Sequence, residues 1–185
     1  MNKRLFLLTG LLGCTLFLFA QDQTTSWSTG IEIQAYPTGQ IFGLTIEKMW
    51  NEKHAGHIRL GYNRVRHGDA GVHDEESGGG LGATFGYRRY FDPAYKAWHM
   101  GIRTDLWYNT IDWTDEIIGA PFKTGTTNIV VVQPTLEGGY TFLSKNNWTL
   151  DLSLAFGIEI NVYTDGEPTG EGLILLGGLT VGKRF

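Results

Sequence analysis

The chain has 185 residues, enough for one domain, with 15 basic and 19 acidic side chains and a formal charge of −4. That acidic balance argues against nucleic acid as a partner. A single cysteine, Cys14, excludes an intramolecular disulfide, and a mildly negative mean hydropathy excludes a bundle of membrane-crossing helices.

Met1 to Ala20 reads as a secretory signal. Lys3 and Arg4 open it, Leu5 to Phe19 is apolar, and Ala20 is a small residue ahead of the polar Gln21-Asp22-Gln23. The apolar run falls short of the roughly 20 residues that a helix needs to cross a bilayer, and no second run follows. Leu11-Leu12-Gly13-Cys14 resembles a lipoprotein cleavage box, which would make Cys14 a lipid anchor. Thr15 to Phe19, however, prolong the apolar run where a polar tether belongs, so cleavage after Ala20 is the preferred reading. Residues 21–185 then form the mature domain, with 13 basic against 19 acidic side chains and a charge of −6.

Eight segments of this domain alternate between apolar and polar or small residues, the period of an extended strand with two unlike faces. The first, Trp27 to Tyr36, sets Ile31 and Ile33 against Glu32 and Gln34. The second, Ile41 to Trp50, sets Phe42, Leu44 and Ile46 against Thr45 and Glu47. The third, His57 to Val65, and the fourth, Gly80 to Tyr90, place Arg59 and Arg88 on the polar face. In the fifth, Ala97 to Asn109, the polar face carries His99, Arg103 and Asp105. The sixth, Asn128 to Phe142, carries Glu137 there and is interrupted by Pro134, which lacks a ladder donor and predicts a bulge. The seventh, Trp148 to Val162, alternates most cleanly, with Leu152, Leu154 and Phe156 opposite Asp151, Ser153 and Glu159. The last runs from Gly172 to a terminal Phe185, with Arg184 on the polar side.

Connections alternate in length. Residues 51–56, 91–96 and 143–147 read as short turns, and 66–79, 110–127 and 163–172 as longer loops; the 37–40 turn is short and breaks the pattern. Aromatic residues gather toward one end of the strands: Trp27, Trp50, Tyr87, Trp98, Phe142, Trp148 and Phe185. This is the pattern of an interfacial girdle.

A water-soluble barrel would share the period with its apolar face turned inward. Two features decide for lipid. The polar face is full of glycine (Gly61, Gly82, Gly86, Gly101, Gly139, Gly157, Gly178 and Gly182), a good lining for a bore beside large side chains. The same face carries charges of both signs at matching depth, predicting the pairs Glu47 with Arg59, Arg103 with Glu137 and Asp151 with Arg184. The lumen charge network is therefore Glu32, Glu47, Arg59, Arg88, His99, Arg103, Asp105, Glu137, Asp151, Glu159 and Arg184.

Motifs for chemistry are thin. His54-x-x-His57 lacks a third ligand at a recognisable spacing and reads as two solvated turn histidines. Ser153 has no histidine on its own or a neighbouring strand, and His99 reads as part of a polar plug rather than a base. Ten acids crowd the longer loops (Asp69, Asp74, Glu75, Glu76, Asp112, Asp115, Glu116, Asp165, Glu167 and Glu171) against Arg66 and Lys123, without the spacing of a calcium loop. No cofactor or metal is called for.

The signal segment, the eight strands, the loop asymmetry and the terminal Phe185 together make residues 26–185 resemble the small eight-stranded outer-membrane β-barrels typified by outer membrane proteins A and X. Lys183 departs from that family, which usually places an apolar or aromatic residue there, but at the membrane edge a lysine can snorkel. The resemblance implies an all-β, antiparallel up-and-down barrel, porin-like in architecture. It implies a monomer in the outer membrane of a Gram-negative envelope, with both termini periplasmic. Contact with outer-membrane lipid and lipopolysaccharide follows, as does insertion by barrel-assembly machinery that reads Phe185. The role expected is non-enzymatic, in envelope structure or surface contact. A narrow solute channel gated by the lumen charges, and a lipid-modifying enzyme, are the alternatives.

Overall fold

The computed structural model describes residues 26–68, 72–92 and 96–185. The signal reading on Met1 to Ala20 and the loop acid Asp69 lie outside them. Eight strands follow in order: β1 (Trp27–Tyr36), β2 (Gly39–Met49), β3 (His54–Gly68), β4 (Glu75–Tyr90), β5 (Ala97–Asp115), β6 (Lys123–Leu143), β7 (Trp148–Asp165) and β8 (Gly172–Arg184). Each pairs antiparallel with its sequence neighbour, and β8 pairs with β1 to close a barrel. The closing ladder runs from Ser28 opposite Arg184 to Ala35 opposite Gly177. Phe185 extends it by one residue, its N–H donating to the Trp27 carbonyl at 2.8 Å. Full closure leaves no strand edge unpaired.

The oily face points outward. Leu81 and Leu154 are 73% and 65% exposed, whereas Arg59 and Arg103 are 0% and 2% exposed. An outer wall of leucine, isoleucine and phenylalanine around a polar interior inverts the arrangement of a water-soluble barrel. On β5 the exposed apolar residues run from Trp98 to Tyr108. At about 3.4 Å per residue and a tilt near 40° that stretch rises by roughly 26 Å, the height of a bilayer-facing band. Beyond Tyr108 the outer face turns polar: Thr110 donates to Asn128 at 2.8 Å, and Thr126 donates to Asp112 at 2.6 Å.

Those polar pairs explain where the loop lengths depart from expectation. The connections are residues 69–74, 116–122 and 166–171, because β3 to β7 all continue past the apolar belt. Ladder bonds persist there while the apolar period stops, and the period is all that a sequence reading sees. Similarly, the β6 irregularity lies between Val130 and Val131, not at Pro134. Pro134 interrupts pairing with β7 while keeping its place opposite Thr104 of β5.

Inward-facing glycines make room for large neighbours. A Cβ on Gly139 would sit 2.7 Å from the His99 ring, and one on Gly43 would sit 2.6 Å from the Arg59 side chain. Gly82 and Gly86 face the Trp107 and His57 rings in the same way. Gly177, on the outer face, meets only Leu154 at 3.8 Å. Gly86→Val should therefore lower the unfolding free energy of the detergent-refolded barrel, measured in urea, by about 1–3 kcal/mol, as overpacking does. Gly177→Ala should leave it unchanged. Equal effects from the two would refute this account of the glycines.

Candidate functional site

Parity along each strand sends every second side chain into the bore, and three guanidiniums and five carboxylates meet there. Arg59 on β3 lies 3.3 Å from Glu32 and 3.1 Å from Asp105. Arg103 on β5 reaches Glu32 at 3.2 Å, and Asp105 and Glu137 at 3.1 Å each. Arg88 on β4 reaches Glu137 at 2.6 Å, Glu47 at 3.3 Å and Asp151 at 3.7 Å. His99 places Nε2 2.7 Å from Asp151. Neutral side chains complete the shell: Gln34 accepts from Arg59 at 2.7 Å, Tyr90 donates to Glu47 at 2.8 Å, and Thr84 donates to Asp105. Buried charges persist only when bonded in this fashion.

Of the three pairs read from depth, Arg103 and Glu137 are in contact. Glu47 lies opposite His57 and binds Arg88 and Tyr90, while Arg59 turns to Glu32 and Asp105. Asp151 lies opposite Thr180 and binds His99, so Arg184, four residues further along β8, is not its partner. Arg184 is half-buried at the rim, opposite Ser28. In a bore this narrow an arginine spans the lumen, so strands two to four places away supply most of its partners, with Arg103–Glu137 the one pair between adjacent strands among the described residues. Glu159 stands apart from the network and accepts from Gln133.

One histidine escaped the sequence reading. His57 is inside the lumen, not in a turn, and both its ring nitrogens are buried without a hydrogen-bond partner. It keeps the same parity as Arg59, which was the available signal. His54 remains at the rim, 2.5 Å from the Tyr87 hydroxyl, so the two do not form a chelating pair. Among the described residues no group of three His, Cys, Asp or Glu could hold a metal.

Above the charges lies a layer that the sequence reading did not foresee: Ile41, Trp107, Ile111, Val131, Ile174 and Leu176 pack together inside the barrel. Arg59 joins the layers, its guanidinium 5.4 Å from the Trp107 ring centre. The Trp107 indole donates to Gln133 at 3.0 Å. Beyond this layer, at the end opposite the chain termini, a cup of about 420 Å³ opens, lined by Glu76, Glu159 and Glu171 among others. Its rim ties two connections to the end of β5. His73 stacks on Trp113 at 4.2 Å, contacts Asp115 at 3.0 Å and donates to the Pro168 carbonyl at 3.1 Å. Asp115 lies seven residues beyond Tyr108, clear of the apolar belt, and the His73 hydrogen bond holds its carboxyl below the usual carboxylate range.

Arg103→Met would leave Glu32, Asp105 and Glu137 short of a cation and should cost about 3–5 kcal/mol in urea unfolding. The half-exposed pair of Lys123 and Glu167, 2.8 Å apart, is the contrast. Lys123→Met should cost no more than about 1 kcal/mol. A mild Arg103→Met would overturn the reading of the network as mutually dependent.

The fold is similar to that of Ail, the attachment invasion locus protein of Yersinia pestis, with a TM-score of 0.50 and 10% identity over 89% of this chain and 100% of that one. The N-terminal β-barrel domain of Pseudomonas aeruginosa OprF aligns with a TM-score of 0.44 and 15% identity, over 86% of this chain and 97% of that one. No protein-family model matches the sequence, and no curated protein matches it. A closed, eight-stranded antiparallel barrel, helix-free among the described residues and with this likeness, has the fold of the small outer-membrane β-barrels.

Proposed function

We propose that the chain is an integral outer-membrane barrel with a closed bore, acting in envelope structure or surface contact and carrying out no catalysis. The observation that carries this reading is the stacking of two sealing layers in the lumen. The arginine–carboxylate network fills one level, and Trp107 with Ile41, Ile111 and Val131 fills the next. A solute would have to break buried ion pairs and then cross a dry apolar layer, each a barrier of several kcal/mol.

The belt from Trp98 to Tyr108 supports residence in a bilayer. The continuation of β3 to β7 past that belt at the far end supports an outward-facing far end and periplasmic termini. Exposed rings at the terminal end, among them Trp27, Trp50, Trp98 and Trp148, suit the headgroup level. There Lys183 sits 6.0 Å from the Trp148 ring centre, consistent with a snorkelling lysine. Lipid and lipopolysaccharide are the partners such a wall meets, and Phe185, paired with Trp27 at the closing seam, is the residue offered to the assembly machinery. Against a lipid-modifying enzyme stands the burial of His99 and Asp151 in the bore, on the far side of the wall from acyl chains.

Planar-bilayer recording tests the closed bore. The purified barrel should give no conductance steps above the bare bilayer, while the unboiled protein from outer membranes should run faster than boiled protein on a detergent gel. Regular steps from the unaltered protein would favour the channel. A change in lipopolysaccharide acylation on deleting the gene would favour the enzyme.

A further inference from the structure

We propose that the cup at the far end binds a small organic ammonium compound with an apolar body. The cavity, about 420 Å³, lies within the range that holds small ligands and is separated from the charge network by the Trp107 layer. Its inner surface is divided by chemistry. Val65, Ile111, Ile129 and Ile174 supply an apolar floor, and Glu76, Glu159 and Glu171 supply carboxylates.

The polar atoms of the cup are acceptors in excess of donors. Asn109 is 1% exposed, lines the cavity, and keeps its Oδ1 buried with no hydrogen-bond partner. The His67 side chain is 7% exposed and also lines the cavity. Its Nε2 lies 3.3 Å from Glu76, while its Nδ1 is buried and unpartnered. A neutral imidazole donating from Nε2 to that carboxylate leaves Nδ1 as an acceptor. Glu76 is spoken for: its other oxygen accepts the Val72 and His73 N–H groups at 3.2 and 3.3 Å. Glu159 uses one oxygen on Gln133, and Glu171 uses one on the Asn161 N–H at 3.1 Å. The second oxygen of each has no hydrogen bond to a described residue.

Buried acceptors without donors are costly, and those that line an open cavity are placed for a ligand to complete. The complement of two unpartnered acceptors and two half-used carboxylates is a cationic group with several N–H donors. A bare metal ion does not fit, because the described residues include no three-ligand metal cluster. A strongly hydrated dication would also leave the isoleucine floor unused. An ammonium group carried on an aryl or alkyl body uses both halves of the cup.

The cup is built to stay open without a ligand. Asn161 donates to the Thr169 hydroxyl at 3.2 Å and Thr127 donates to the Glu167 carbonyl at 3.0 Å, holding the 166–171 connection in place. His73 ties that connection to β5. A preformed site of this kind avoids the ordering cost of binding.

The test uses the refolded barrel in a non-ionic detergent, with 2-phenylethylammonium as probe and 2-phenylethanol as its neutral counterpart, read by isothermal titration. The ammonium should bind saturably at one site, at least tenfold tighter than the alcohol. Glu159→Gln and Asn109→Leu should each weaken it at least fivefold, with gel mobility and thermal unfolding confirming a folded barrel. Glu52→Gln, in the turn at the opposite end, should change nothing. Equal binding of alcohol and ammonium, indifference to Glu159→Gln, absence of saturable binding, or displacement of the probe by equimolar Ca²⁺ would each overturn the proposal. None of these outcomes bears on the conductance test of the closed bore.

Discussion

A guanidinium inside an eight-stranded bore has no bulk water to turn to, and the rest of this structure follows from that constraint. Arg59, Arg88 and Arg103 are each held by carboxylates from more than one strand. Glu137 is shared by Arg88 and Arg103, and Asp105 by Arg59 and Arg103. Sharing matters because it lets five carboxylates be served by three cations without an isolated charge. The network also ties β1 to β7 together through the centre of the barrel. Ladder bonds alone hold only adjacent strands.

The wall answers the same constraint by thinning where the interior thickens. Gly43, Gly82, Gly86 and Gly139 stand beneath Arg59, Trp107, His57 and His99. A glycine in a strand gives up β-propensity and packing, and here the loss is offset by the ring or side chain that lies across it. The composition that looked merely glycine-rich is therefore paired, position by position, with the bulky inward residues.

Much of this was legible from one sequence because a strand has a period of two. The outward set Leu152, Leu154 and Phe156 and the inward set Asp151 and Ser153 follow from parity alone, and the coordinates place them so. Pairing partners did not follow, because which arginine meets which carboxylate depends on reach across the bore. Parity fixes the direction of Asp151 but not that His99, two strands away, would be its partner. The strand ends were hidden because Thr110, Asp112, Thr126 and Asn128 carry no apolar period yet remain paired. The inner apolar layer did leave a trace: Ile129 to Val132 and Leu173 to Leu176 break alternation into continuous apolar runs. Such runs mark strands with an apolar environment on both faces, here lipid-facing residues outside and Val131, Ile174 and Leu176 inside. Of the cup residues, Glu159 and Glu171 lie 12 positions apart across the β7–β8 connection, but Glu76 lies 83 positions before Glu159, and no local spacing joins it to them.

Where the two lumen layers reside bears on the closed bore proposed for this barrel. Every residue of the charge network and of the apolar layer belongs to one of the eight strands themselves. Neither is a loop or a separate plug that could swing aside on a hinge. Clearing a path would require turning inward side chains away from a wall whose other face is already occupied by leucine and isoleucine, or else parting strands held by a continuous ladder. Both amount to local unfolding of the barrel. The cup, by contrast, is lined by Val72, by Pro168 to Glu171 of the connection before β8, and by the far ends of β5 and β6. Those elements can adjust without disturbing the ion pairs beneath, because the Trp107 layer intervenes and Arg59 touches it only through the ring face. Stability is thus concentrated at the level of the arginines, and adaptability is left to the end opposite the chain termini.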